Sequence, residues 1–195
     1  KKEKVIYGKD FNLIKKNKRN FYKDNKKFFE IKSNLIGDHM YENITVAIKV
    51  ALDQKIPIRV IKLGIQNVNI PGRMQVIKKG MLRKGLKERD TLILDGAHNN
   101  QQSTQVSKVI GRIKSKNKIG IISMINTKDP YSFLKPFKNK FKKIYFINME
   151  RQKNVFPKEK LIKVAERLKI NSSIADNFDQ IKRRHSDAKS RCFVV

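Results

Sequence analysis

The sequence predicts an α/β protein with a mostly parallel, Rossmann-like sheet that carries helices on both faces. The first observation is that short β-branched runs alternate with amphipathic segments of helical period from Asp90 onward, which is typical of β-α-β units. The second is that strands and helices alternating at this spacing favour a sheet covered on both faces. The third is that 195 residues with a 39% hydrophobic fraction suit a packed domain plus part of another.

The first part of the chain is assigned to the C-terminal edge of a second α/β domain. Lys1 to Ser33 hold short β-like pieces, VIYG, FYKD and FFEI, separated by charged turns. Apolar residues at helical spacing predict a helix over about residues 40–53, with Asp38 as its candidate N-cap.

Two proline-containing stretches follow that helix. Pro57 in a first turn and Gly64 after the last turn favour a short helix over KIPIRVIKLGI. Pro71-Gly72 marks a turn, and a strand is predicted from Met74 to Ile77. We place the domain boundary after residue 58, which gives domains 1–58 and 59–195.

From Asp90 onward the second domain contains four predicted strands and four predicted helices. Pro130 and Pro157 each open a helix, because proline is favoured in a first turn. The strands are TLILD, KIGIISM, KKIYFIN and SRCFVV, and the helices are SKVIGRIK, PYSFLKPF, PKEKLIKVAERL and NFDQIKRRHSDA. Both ends of the chain are expected to interrupt a longer protein.

Cysteine usage and hydropathy exclude several classes of protein. Cys192 is the only cysteine, so neither an intrachain disulfide nor a Cys-based zinc site can form, and a reducing, cytoplasmic setting is expected. No apolar run approaches the roughly 20 residues that span a bilayer, and the N-terminus lacks the apolar segment of a signal peptide. We therefore expect no membrane association.

The net charge of +29, from 46 Lys and Arg against 17 Asp and Glu, raises the question of nucleic-acid binding. The lysines are scattered along the whole chain, and no aromatic-interleaved basic motif is present. The abundance of Lys, Ile and Asn is also typical of AT-rich coding sequences. Compositional drift is therefore the favoured interpretation, with non-specific polyanion binding expected from the charge alone.

The stretch LILDGAHNN ends a predicted buried strand with polar residues. In parallel sheets ligands bind at the carboxyl ends of strands, where Asp95 falls by its spacing. Asp95 can accept hydrogen bonds from a ribose hydroxyl, and His98 can donate, accept or transfer a proton. The helix that begins near Gln101 presents its N-terminus to the same place, which favours anions. The alternative is an Asp that caps the loop, and the residues alone leave the two interpretations open.

Several motifs together resemble those of folylpolyglutamate synthase and dihydrofolate synthase, members of the Mur ligase superfamily. They are DGAHNN for Asp-Gly-Ala-His-Asn-Pro, IPGRMQVI for Pro-Gly-Arg, LIGDHMYEN for Leu-x-Gly-x-His-Gln-x-x-Asn, GKDF for Gly-Arg-Asp-Phe and TKDP for the Asp-Lys-Asp loop. Their order and intervals cover most of the chain. Departures are Met40 for glutamine, Ile44 for alanine, Asn100 for proline and Thr127 for the first acid.

The resemblance implies a role for four residues. Asn43 would meet the adenine, Arg73 the ATP phosphates, and Asp95 the nucleotide from the C-terminal domain, while catalytic His98 would lie near the incoming glutamate or the reacting centre. A solvated helix residue for Asn43 and a surface charge for Arg73 are the structural alternatives. No metal ligand is assigned in this chain.

The resemblance also implies an activity for the intact enzyme. It would be a cytoplasmic, monomeric, ATP- and Mg²⁺-dependent ligase that adds L-glutamate to dihydropteroate or folate through an acyl phosphate. No Gly-x-x-x-x-Gly-Lys-Ser/Thr occurs here, so the metal ligands are expected in a missing N-terminal part. The chain would comprise the end of the central ATPase domain plus most of the C-terminal domain, and would be inactive alone.

Three alternatives remain open. The chain could belong to a related cell-wall amino-acid ligase of the Mur family, since the substrate domain that would decide is absent. It could be a basic nucleic-acid-binding α/β domain, which a salt titration would distinguish. It could also be a degenerate or fragmentary product without activity.

Overall fold

The computed structural model describes residues 4–149, 152–186, 188 and 191–194. They form two compact units, Lys1–Pro71 and Gly72–Val195. The first unit contains β1 (Phe11–Lys16), β2 (Arg19–Asp24), β3 (Phe28–Ile31), α1 (Asp38–Asp53) and α2 (Ile58–Asn67). The second contains β4 (Gln75–Val76), β5 (Thr91–Leu94), α3 (Asn100–Arg112), β6 (Lys118–Ile122), α4 (Pro130–Leu134), β7 (Lys143–Phe146), α5 (Lys158–Arg167), β8 (Ser172–Ile174), α6 (Phe178–Arg184) and β9 (Cys192–Val194).

An antiparallel meander of β1, β2 and β3 builds the sheet of the first unit. Asn17 and Lys18 join β1 to β2 with positive φ angles of 51° and 61°, the backbone of a tight two-residue hairpin. The predicted strand at VIYG is wrong, because among those residues only Tyr7 makes an isolated bridge and the first strand is Phe11–Lys16. Asp10 explains the difference, since its carboxylate accepts a hydrogen bond from the Ile6 amide at 2.7 Å and holds that stretch in a turn.

The helices α1 and α2 cover the core of this first sheet. Ile48 of α1 and Ile61 of α2 join a cluster with Tyr22, which is fully buried. The predicted N-cap role of Asp38 is wrong: Gly37 precedes α1 without a side-chain cap, and the Asp38 carboxylate instead pairs with Lys15 at 3.0 Å. Gly64, predicted to follow α2, lies inside the helix.

The boundary between the compact units falls between Pro71 and Gly72, later than the predicted boundary after residue 58. The reason is that α2 contributes Ile61 to the cluster formed by the first sheet and α1. The assignment of the two units to the central and C-terminal domains of a ligase remains a prediction.

The second unit is built on a six-stranded sheet of order β4-β5-β9-β6-β7-β8. The pairs β5-β9, β9-β6, β6-β7 and β7-β8 are parallel, and only β4 is antiparallel to its neighbour. The predicted fold class, a mostly parallel sheet flanked by helices and preceded by part of another α/β unit, is confirmed. The prediction did not include β8, and its polar sequence SSI explains why. Asp187, Ser190 and Val195, parts of the predicted last helix and strand, lie outside the described residues.

Side chains alternate between the two faces of this sheet. On β7, Ile144 and Phe146 pack with α3, α4 and α5, whereas Tyr145 points to the other face. On β9, Val194 lies in the same hydrophobic cluster as Ile144 and Phe146. Phe193 lies in the cluster on the opposite face, together with Tyr145 and Ile181 of α6. Helices therefore lie on both faces. Among the described residues, no helix combines the length and apolarity required of a membrane span.

A buried ion pair closes the end of the sheet at which the parallel strands begin. Asp90 and Arg191, 3% and 2% exposed, immediately precede β5 and β9. The Arg191 guanidinium donates to the Asp90 carboxylate through Nε at 3.1 Å and through Nη2, and the Arg191 amide donates to it at 3.1 Å. Burial raises the pKa of Asp90, but the hydrogen bonds from Arg191 and the Lys87 amide outweigh it and the pKa is lowered.

Candidate functional site

The Pro-Gly-Arg turn and the loop after β5 meet at the carboxyl end of the sheet. The antiparallel pairing of Gln75 with Leu94 places residues 72–74 beside residues 95–97. The Asp95 carboxylate accepts hydrogen bonds from the Met74 amide at 2.7 Å and from the Ala97 amide at 2.8 Å. The Gly96 amide donates to the Gly72 carbonyl at 2.7 Å. The two motifs, joined through residues that are 21 positions apart in the sequence, thus form one structure.

Backbone conformation explains why this turn needs glycine. Gly72 and Met74 have φ angles of 67° and 45°, which lie in the left-handed region. Met74 tolerates that conformation because its side chain is buried in the core and its amide is held by Asp95. The turn is therefore fixed by backbone atoms and by the side chains of Asp95 and Gln75, and among the described residues the Arg73 side chain makes no hydrogen bond that holds it.

The Arg73 side chain lies over the loop after β5. A Cβ atom built on Gly96 would stand 4.0 Å from Arg73 Nη1 and 3.6 Å from the Gly72 carbonyl oxygen. Arg73 is half-buried. The structure therefore brings together Arg73 and Asp95, two of the residues that the sequence singled out.

His98 is exposed at the start of the following helix. Its Nδ1 lies 3.0 Å from the Gly96 carbonyl oxygen, and its amide donates to the Gln102 side chain at 3.1 Å. A proton on Nδ1 would donate to that carbonyl and leave Nε2 as an acceptor. Asn99 caps α3 by accepting from the Gln102 amide at 2.9 Å, which begins the helix just after the imidazole.

The structure gives Asp95 a definite structural role. Each of its carboxylate oxygens accepts one backbone hydrogen bond, so the loop-capping interpretation is correct as far as it goes. A carboxylate oxygen can accept more than one hydrogen bond, which leaves acceptor capacity toward a ligand. Arg73, the α3 N-terminus and Asp95 together present donors and an acceptor at one rim.

Asn43 belongs to the other compact unit. It is exposed in the second turn of α1, on the side away from buried Ile44 and Ile48. Its predicted contact with adenine remains a prediction.

The Thr127-Lys128-Asp129 loop has a structural explanation. Asp129 is the N-cap of α4 and accepts from the amides of Tyr131 and Ser132 at 3.0 and 3.3 Å. The Ser132 hydroxyl also donates to it, and that bond is the main reason that the pKa of Asp129 is lowered. These contacts account for the acid in this loop without a ligand.

Sequence reasoning missed three residues of this region. Gln75 accepts from the Gly72 amide at 2.9 Å and Gln102 positions His98, so both stabilise the turns that carry the predicted residues. Ser123 follows β6 directly, and its buried hydroxyl has no hydrogen-bond partner among the described residues. Its position after a parallel strand is the signal that would have singled it out.

Within the described ranges, no group of three or more His, Cys, Asp or Glu side chains is arranged to hold a metal ion.

Comparison with solved structures identifies the fold. A structure of folylpolyglutamate synthase from Thermotoga maritima superposes with a TM-score of 0.73 at 19% identity, over 97% of this chain and 44% of that one. One from Mycobacterium tuberculosis, complexed with ADP, gives 0.78 at 16% identity over 97% and 45%. E. coli FolC in complex with DHPP and ADP gives 0.75 at 19% over 96% and 43%.

The chain has the fold of folylpolyglutamate synthase structures. It spans less than half the length of these proteins, although nearly all of it is aligned. No family model matches the sequence, and no curated protein matches it. At identities below 20% the likeness concerns the fold, and activity must be argued from the site.

Proposed function

We propose that this chain is the nucleotide-closing part of an ATP-dependent ligase that adds L-glutamate to dihydropteroate or folate. The first compact unit, Lys1–Pro71, would be the end of its central ATPase domain, and the second, Gly72–Val195, its C-terminal domain. The observation that carries the proposal is the joined turn of Arg73 and Asp95 at the carboxyl end of β5, with His98 beside it. Aligned structures that contain ADP, DHPP, AMPPNP or L-glutamate support the choice of ligands.

Arg73 is suited to the phosphates of ATP. A guanidinium offers several donors in one plane, and charge-assisted hydrogen bonds to phosphate are roughly twice as strong as neutral ones. Because backbone atoms hold the turn, its guanidinium is available to a ligand without loss of local structure. In the proposed enzyme Arg73 would orient the polyphosphate from the side opposite the missing phosphate loop.

Asp95 and His98 would act on the nucleotide and on the amine. Asp95 keeps lone pairs for a ribose hydroxyl while its backbone bonds fix its position. His98, held by Gly96 through Nδ1, would present Nε2 as an acceptor near the glutamate amine that attacks the acyl phosphate. Asn43 would meet the adenine through its amide.

Mg²⁺ belongs to the proposed reaction but not to the residues described here. They contain no cluster that fits a metal ion, so we derive no step through it from this chain. The ligands would come from the part of the ligase that carries the phosphate loop.

The proposal is tested with Arg73→Ala in the full-length ligase that would contain this chain. Losing one charge-assisted contact of about 1.5–3 kcal/mol should raise the KM for ATP by about 10- to 100-fold. Arg59→Ala, an exposed arginine on α2, is the control and should leave the KM unchanged. Equal ATP kinetics in wild type and Arg73→Ala would remove Arg73 from the site.

The fragment part of the proposal has its own test. The isolated 195-residue chain, given ATP, L-glutamate and dihydropteroate, should form no amide. Product detected by mass spectrometry at a rate proportional to chain concentration would show that the nucleotide site is complete within it.

A further inference from the structure

Lysine and arginine are concentrated at one edge of the second sheet. The amino edge is defined here by the five segments that lead into the parallel strands. They are residues 83–90 before β5, 112–118 before β6, 135–143 before β7, 166–171 before β8, and 182–186, 188 and 191 before β9. These described residues include 19 Lys and Arg residues against 3 Asp and Glu residues.

The opposite edge, where the strands end, is balanced. The described residues there, 72–74, 95–101, 123–130, 147–149, 152–157 and 175–177, include 3 Lys and Arg residues against 3 Asp and Glu residues. Arg73, Asp95 and His98 lie at this edge, so the basic excess is not part of the proposed nucleotide site. Compositional drift was favoured because the lysines are scattered along the sequence. In the folded chain, however, many of them lie at one edge of the sheet.

Hydrogen bonds tie the basic segments to one another laterally. The Lys142 ammonium donates to the Asn117 side chain at 3.0 Å, and the Asn171 side chain donates to the Lys142 carbonyl at 2.8 Å. The Cys192 amide donates to the Asn117 carbonyl at 3.0 Å, and the Thr91 amide to the Arg191 carbonyl at 2.9 Å. The segments therefore form one continuous rim.

Few acids neutralise this rim. Asp90 is buried against Arg191, and Asp179 pairs with Lys182. The summed field is felt at His185: burial is the main reason that its pKa is lowered, and Lys142, Arg191, Lys143 and Arg184 lower it further. Cations from two segments, the one before β7 and the one before β9, therefore act on one imidazole.

The rim is indented where the entry to β5 meets α6. A cavity of about 840 Å³ there is lined by Lys84, Lys87, Lys182, Arg183 and Asp179, among others. The Lys87 ammonium donates to the Ser186 carbonyl at 2.8 Å and the Lys182 ammonium to the Lys84 carbonyl at 2.7 Å. An ammonium has three donors, so each of these lysines has further donors for an anion.

Stabilisation of helix ends does not account for the excess. Each helix C-terminus carries about half a negative charge, so α3 to α6 would be balanced by about two cations. The segments of this edge carry a sequence excess of 16. Positive charges in this excess repel one another unless a bound polyanion neutralises them.

Duplex nucleic acid is the polyanion that fits best. Five adjacent parallel strands spaced about 4.8 Å apart make a row about 19 Å long. Duplex DNA presents a phosphate per about 1.7 Å of axis, so about 11 phosphates lie along that length. In the described part of these segments no aromatic ring is exposed for base stacking, and the cations lie on strand entries rather than along the face of a membrane-binding helix.

We propose that the amino edge of the second sheet binds the phosphate backbone of double-stranded nucleic acid without reading its bases. This binding is independent of the proposed ligase activity, because it uses the opposite edge of the sheet. The cavity between Lys84 and Lys182 would receive one phosphate group of the duplex.

The test measures binding of the 195-residue chain to a fluorescein-labelled 24-base-pair DNA or RNA duplex by anisotropy, over a salt series. The edge variant is K84E/K116E/K138E, and the control is K108E/K153E/K160E; all six lysines are exposed and both triples change the net charge equally. Circular dichroism melts verify that both fold. The slope of log K against log salt is negative, and loss of three phosphate contacts should reduce its magnitude by about 2.7 for DNA.

The expected result is a slope change of about 2 to 3 in the edge variant and less than about 1 in the control, with two unrelated duplex sequences bound equally. Equal slope changes in the two triples would show that the charge acts diffusely and overturn the proposal. Tighter binding to poly-L-glutamate of equal charge, or to phosphatidylserine vesicles, would assign the edge to another partner and also overturn it.

Discussion

Removing the carboxylate of the buried Asp90–Arg191 pair should destabilise the second unit strongly. In Asp90→Asn the side chain keeps its shape and one oxygen acceptor, but an NH2 donor replaces the other oxygen and the negative charge is lost. Because the two carboxylate oxygens accept from the Arg191 guanidinium and from the Arg191 amide, the new NH2 group must face one of these donors. The guanidinium, 2% exposed, loses its counter-charge, although Nη1 still donates to the carbonyl oxygens of Lys182 and His185. An uncompensated buried charge of this kind costs about 3–5 kcal/mol.

Cys192 reports this loss directly. It follows Arg191, is 2% exposed, and burial raises its pKa to about 11, so in the folded chain it should react with a thiol reagent only after local opening. When opening is fast, the labelling rate follows the open population. Destabilisation of 3 kcal/mol or more should then accelerate labelling by at least about 100-fold, since 1.4 kcal/mol is a factor of ten.

Asp176→Asn is the matched control for this measurement. Asp176 pairs with Lys158 at 3.0 Å in the same unit, but its side chain is 73% exposed, and exposed pairs contribute about 0–1 kcal/mol. The control should therefore accelerate Cys192 labelling by less than about fivefold. Labelling rates of Asp90→Asn and Asp176→Asn within a factor of three would refute the assignment of this pair as a stabilising contact.

Two further predictions concern the same unit. Asp129→Ala should lower the free energy of unfolding by about 1 kcal/mol in urea titrations because α4 loses its cap, whereas Asp129→Asn should cost less than about 0.5 kcal/mol; equal losses would exclude capping. The folded-state pKa of His185 is lowered, chiefly by burial, so the unfolded chain binds the proton first and stability should fall as the pH drops from about 6.5 toward that lowered pKa. His185→Gln should flatten this part of the stability profile measured by urea unfolding, and an unchanged profile would assign the pH dependence to other groups.

The sequence predicted the helices and strands of the second unit well wherever an element has its own local signal, such as a proline at a helix start or an apolar run. Pro130, which begins α4, Pro157, which precedes α5, and the apolar runs of β5, β6 and β7 can be recognised without knowing what each element packs against. The strand β8 was missed because SSI is short and polar, and it is specified by pairing with β7. Gly64 misled because a glycine inside a helix is tolerated when neighbours such as Ile61 are buried.

In the candidate site, too, some features could be predicted from local sequence and others depend on tertiary structure. The motifs singled out Arg73, Asp95 and His98 as individual residues, but the hydrogen bond from the Met74 amide to Asp95 depends on the register of β4 against β5. That register also requires positive φ angles at Gly72 and Met74. Only the glycine is a residue type from which a positive φ angle can be predicted in the sequence. Gln75 and Gln102 were missed because a side-chain amide that accepts a hydrogen bond from the backbone belongs to no recognisable sequence pattern.

The distribution of charge shows most clearly what a linear reading loses. Lysines that recur before every strand look evenly spread, because each strand and helix adds a stretch of neutral or mixed residues between them. In a parallel sheet every strand starts at the same edge, so a periodic excess in sequence becomes a contiguous one in space. Because drift has no reason to respect the direction of the strands, an excess of 16 at the amino edge against zero at the carboxyl edge favours a face that meets a polyanion.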